Sequence, residues 1–139
     1  MGDADGGQDR TTGRHWHAYA YTGRAHSDAA VRRGEVPVDH PPIEIKDWLR
    51  KPVAQLVGTY GDGDVAGALA WVEGELTRNP PVDEEHFPVW DRLRRVRATL
   101  GLVRGNDVVL GYYSKAGQYV SRALVGCPRA EGGACPYGK

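Results

Sequence analysis

Residues 108–125 limit what this chain can become. Val108-Val109-Leu110-Gly111-Tyr112-Tyr113 is a β-type run, and Ser114-Lys115-Ala116-Gly117 is a turn signal. Gln118-Tyr119-Val120-Ser121-Arg122-Ala123-Leu124-Val125 is a second β-type run, so the stretch predicts a hairpin with Gly117 free to take positive φ. A lone hairpin is marginal in water, so another strand has to join it. The candidate is His15-Trp16-His17-Ala18-Tyr19-Ala20-Tyr21, where aromatic enrichment and strict alternation predict a strand. Period two puts His15, His17, Tyr19 and Tyr21 on one face and Trp16, Ala18 and Ala20 on the other.

Between these strands the pattern turns helical. Ser27 can cap a short helix through Ala29, Ala30 and Val31, and Gly34, Pro37, Pro41 and Pro42 then make a loop. Leu49, Val53, Leu56, Val57 and Tyr60 form a stripe that predicts a first long helix over 45–60, with Pro52 as a kink or as its true first turn. Asp64 caps a second helix carrying Val65, Leu69, Val72 and Leu76, which Asn79-Pro80-Pro81 ends. A third carries Val89, Leu93, Val96, Leu100 and Val103. Asp83, Glu84 and Glu85 suit its positive end, and Pro88 suggests that the regular turns begin there. The tryptophans at 16, 48, 71 and 90 are expected in or beside the core.

The expected class is therefore α+β, with about three helices packed on a small antiparallel sheet. That sheet combines the N-terminal strand with the C-terminal hairpin. Helices followed by a hairpin also match the order of a winged helix-turn-helix. A disordered lead-in is expected over 1–14, a single α+β domain over 15–126, and a Cys/Pro/Gly-rich tail over 127–139. A length of 139 residues suits one domain with a proper core. No apolar run approaches bilayer-spanning length. The acidic, glycine-rich start lacks the features of a secretion signal, so the expected location is cytoplasmic. Thiols stay reduced there, which makes Cys127 and Cys135 free thiols or metal ligands before a disulfide.

Metal chemistry is the first functional candidate. If the first and last strands are neighbours, His15 and His17 can meet Cys127 and Cys135, a donor set suited to tetrahedral zinc. The prolines after both cysteines and the glycines at 132 and 133 allow a tight turn. The short C-x2-C spacing that makes a zinc motif specific is absent.

Nucleic acid, or an acidic protein surface, is the second. Residues 1–87 carry 15 acidic against 9 basic side chains, and residues 88–139 carry 3 against 9, within a net charge of zero. Such a split fits either a basic face for a polyanion or two halves whose charges meet inside the fold. The first reading assigns Arg92, Arg94, Arg95, Arg97 and Arg104 to the helical face, with Lys115 and Arg122 on the hairpin. It yields a non-catalytic, regulatory binding protein, and it requires those guanidiniums to face water.

The third candidate is a small-molecule pocket or enzyme on the face of His15, His17, Tyr19 and Tyr21, joined by Tyr112 and Tyr119. No histidine, carboxylate or cysteine combination has a recognised catalytic spacing. Gly58-Thr59-Tyr60-Gly61-Asp62-Gly63 lacks the lysine of a phosphate loop and reads as a turn.

Overall fold

The computed structural model describes residues 14–61, 63–102, 107–129, 135 and 137. β1 (His15–Gly23) is followed by α1 (Asp28–Arg32) and two 3-10 turns (Ile45–Arg50 and Val53–Gln55). Then come β2 (Leu56–Tyr60), α2 (Val65–Arg78), α3 (Val89–Leu100), β3 (Val108–Tyr113) and β4 (Tyr119–Cys127). The fold is α+β, built on one antiparallel sheet in the order β2-β1-β4-β3. The expected joining of first strand to hairpin is its centre: β1 and β4 pair from His15↔Cys127 to Gly23↔Tyr119.

Alternation along these strands divides the sheet into two working faces. Trp16, Ala18, Val108, Tyr112, Val120 and Leu124 point toward α2 and α3, where they meet Ala68, Val72, Leu76, Val96 and Leu100. Each aliphatic side chain fully buried there contributes about 1.5–3 kcal/mol. The opposite face carries Tyr19, Ala123 and Val125, covered by Trp48 with Ile45, Leu49 and Leu56. Tyr19 and Trp48 stack with centroids 4.9 Å apart.

Local signals act as the sequence suggests at several ends. Ser27 Oγ accepts from the Ala30 N–H at the start of α1, and Asp64 Oδ1 accepts from the Gly67 N–H at the start of α2. α3 begins after Pro88, and Gly117 turns the hairpin at φ 82°. Arg14, placed by sequence in the lead-in, is buried and donates to the Leu100 carbonyl.

The helix expected over 45–60 is a correction. Its first part is two short 3-10 turns, its last part the edge strand β2. Lys51, ahead of Pro52, is extended at φ −69° and ψ 155°, as the proline ring demands of its predecessor. Proline also supplies no N–H to carry a helix onward. Val57 and Thr59 are exposed while Leu56, Gly58 and Tyr60 are half-buried, a period of two. Trp90 also departs from expectation: it is 68% exposed, with Arg94 and Arg97 on the outer side of α3.

Candidate metal centre

β1 presents His15 and His17 on the face away from the long helices, and the antiparallel ladder sets Cys127 directly opposite His15. The tail then returns Cys135 to the same place. Its Sγ lies 3.3 Å from His17 Nε2 and 3.6 Å from His15 Nε2. One ligand atom from each of His15, His17, Cys127 and Cys135 lies within 4.8 Å of all the others, a group that could hold a metal ion. The four residues named from the sequence thus converge.

Neighbours fix these donors. His17 Nδ1 is 3.2 Å from Thr59 Oγ1 on β2, so a proton on Nδ1 donated to Thr59 leaves the Nε2 lone pair facing the cysteines. The His15 and His17 rings meet edge to face at 4.8 Å. Tyr137 lies against His17 at 4.5 Å, and its hydroxyl is 2.7 Å from that of Tyr19. The tail is therefore tied to the sheet at two points, Cys135 and Tyr137.

Burial shapes the electrostatics. His17 is 2% exposed and Cys127 fully buried, while Cys135 is half-buried. Burial, helped by the neighbouring His15, lowers the His17 pKa to about 4, so its ring is neutral at physiological pH. Burial, reinforced by Cys135, pushes the Cys127 thiol up to about 12. Burial and then the Tyr137 hydroxyl raise the Tyr19 phenol above its usual range. Without a cation the Cys127 thiol keeps its proton; a metal ion would displace it and take the thiolate, as metal binding to cysteine requires.

The remaining sequence-derived sites are dispersed. Tyr112 points to the opposite side of the sheet, where its hydroxyl donates to the Asn79 carbonyl, because it shares the parity of Val108 and Val120. Tyr21 donates to the Arg24 carbonyl, and Tyr119 lines a separate depression with His26 and His40. The six pocket residues therefore do not enclose one cavity. Tyr137 and the cysteines fill the space beside the histidines instead.

The cationic set is mostly answered by carboxylates. Arg92 is 4% exposed and Arg122 5%, which removes both from any surface face. Arg92 pairs with Asp83 at 2.6 Å and Arg122 with Glu75 at 2.7 Å. Arg94 and Arg95 share Asp91, and Lys115 meets Glu84 at 3.1 Å. Among the described members only Arg97 has no carboxylate partner; Arg104 lies outside the described residues.

Thr59 and Tyr137 were not singled out from the sequence as parts of a site. Thr59 was hidden by the expected helix, although the alternation of exposure from Val57 onward marks its strand. Tyr137 sits in the tail two residues after Cys135, with no periodicity to flag it. No protein-family model, curated protein or solved structure gives a significant match to this chain.

Proposed function

We propose that this chain is a zinc-binding domain whose metal centre is structural, clasping the C-terminal tail to the sheet through His15, His17, Cys127 and Cys135. The observation that carries the reading is the convergence of two imidazole nitrogens and two sulfurs within 4.8 Å. Zinc bonds of about 2.0 Å to nitrogen and 2.3 Å to sulfur make a tetrahedral N–S edge of about 3.5 Å. The separations of 3.3 and 3.6 Å from Cys135 Sγ to the two Nε2 atoms bracket that edge.

The donor chemistry points the same way. A mixed imidazole and thiolate set converging within 4.8 Å favours zinc over magnesium or calcium, which prefer oxygen. Four protein donors leave no open position for substrate or water, the mark of a structural centre. A disulfide between the cysteines would use the sulfurs and leave two imidazole nitrogens facing no cation. The role is accordingly binding, without catalysis.

A nucleic-acid role on a winged-helix frame draws less support. Residues 45–60 supply turns and a strand where that frame needs its first helix, and the arginine face is largely paired within the chain.

Cobalt(II) substitution tests the zinc reading. The whole chain, reduced and loaded with one equivalent, is expected to show visible ligand-field bands of a tetrahedral ion and near-ultraviolet thiolate charge-transfer bands. The weak visible spectrum of an octahedral ion, without thiolate bands, would overturn it.

A further inference from the structure

On the other side of the sheet a cleft of about 380 Å³ opens between α3 and the edge strand β3. Val96, Val108 and Leu110 supply apolar walls, and Phe87, Arg92 and Arg95 stand beside them. Arg92 is the unusual member. Its Nη2 donates to Asp83 at 2.6 Å and its Nε to the Phe87 carbonyl at 3.4 Å. The guanidinium carbon lies 4.2 Å from the Phe87 ring centroid and 5.1 Å from that of Tyr112. A buried guanidinium is thus fixed by an acid, a carbonyl and two rings, while Nη1 has no hydrogen-bond partner among the described residues. Among the described residues, the side-chain nitrogens fully sealed from solvent without a partner are Arg14 Nε and His40 Nε2, and Arg92 Nη1 is not one of them.

Arg95 completes the arrangement. It stands 5.2 Å from the same Phe87 ring, is 66% exposed, and touches Asp91 only at 3.5 Å. Asp107 also borders the cleft, but its Oδ1 is taken by the Gly126 N–H and Arg129.

We infer that this cleft binds a small organic carboxylate, its head on Arg92 Nη1 and Arg95 and its apolar body on Val96, Val108 and Leu110. A carboxylate offers the acceptor that Nη1 lacks, and a charge-assisted hydrogen bond to a preorganised guanidinium is among the stronger polar contacts. A monoanion suits the site better than a dianion, because Asp83, Asp91 and Asp107 already answer much of the local positive charge. The site stands apart from the metal centre, which occupies the opposite face of the sheet.

Octanoate is a suitable probe, titrated into the full isotope-labelled chain with octanol as its uncharged counterpart. Saturable amide shifts are expected at Val96, Thr99, Val108 and Leu110, with octanol weaker by about tenfold, the scale of one charge-assisted contact. Arg95→Gln is expected to weaken octanoate at least about fivefold at an unchanged melting temperature, since this exposed side chain adds little to stability. Absence of saturation, equal affinity for octanol, an unchanged Arg95→Gln titration, or shifts confined to residues around His17 would each overturn the inference.

Discussion

His15 and Cys127 are register partners on adjacent antiparallel strands, and the same ladder carries His17 onto the same face two residues along. Three donors are thereby placed by backbone pairing alone, before any loop contributes. Cys135 then closes the set from the tail. His17 and Cys127 are buried, and burial favours the neutral form of each without metal, an arrangement that becomes favourable once a cation takes the imidazole nitrogen and the thiolate.

The outer hydrogen bond is expected to matter almost as much as the donors. Thr59→Val removes the acceptor that holds His17 Nδ1 and leaves the strand pairing intact. Zinc affinity, measured by competition with a chromophoric chelator, is expected to fall about 10- to 100-fold, the usual scale for losing a partner behind a metal-bound histidine. Unchanged affinity would mean that His17 is oriented by packing alone.

The Glu75–Arg122 pair joins α2 to β4 inside the core and gives stability an acid-side dependence. Burial alone would raise the Glu75 pKa, but hydrogen bonds from Arg78 and Arg122, and their charges, outweigh it and set it below the ordinary 4.5. A lowered folded-state value means the contribution is present above pH 4.5 and is lost as the pH falls through the folded value. Glu75→Ala leaves a buried guanidinium unanswered and is expected to cost about 3 kcal/mol at neutral pH. Urea unfolding of both forms should converge in acid; a constant gap down to about pH 3 would contradict the linkage.

Trp48 anchors the first 3-10 turn on the face shared with the metal centre. It is 2% exposed and stacked on Tyr19, whose hydroxyl meets that of Tyr137. Trp48→Ala is expected to cost about 3–5 kcal/mol by denaturant unfolding, as for other buried aromatic truncations. A loss below about 1 kcal/mol would mean that the turn does not cover this face.

Much of the centre could be read from sequence because strands obey parity. Alternation put His15 and His17 on one face, and the weakness of an isolated hairpin called for the first strand beside the last. Cys127 then lies within reach. β2 was not legible, because Leu56, Val57 and Tyr60 fit helical spacing as well as strand spacing. The long return to Cys135 carries no spacing rule either. The arginines show a different limit: a charge run gives number, and direction comes from the stripe. Arg92 stands four residues before Val96 and eight before Leu100, on the buried side of α3, and Arg122 shares the parity of Val120 and Leu124. Both positions were inward by the same periodicity that identified the core.

Native mass spectrometry of the reduced full chain, produced with zinc in the medium, addresses the metal centre most directly. The expected result is a mass one zinc ion above that of the polypeptide, falling to the bare mass in Cys135→Ser and in His17→Ala. A folded wild-type chain at the bare mass, with both thiols free, would contradict a zinc centre at His15, His17, Cys127 and Cys135.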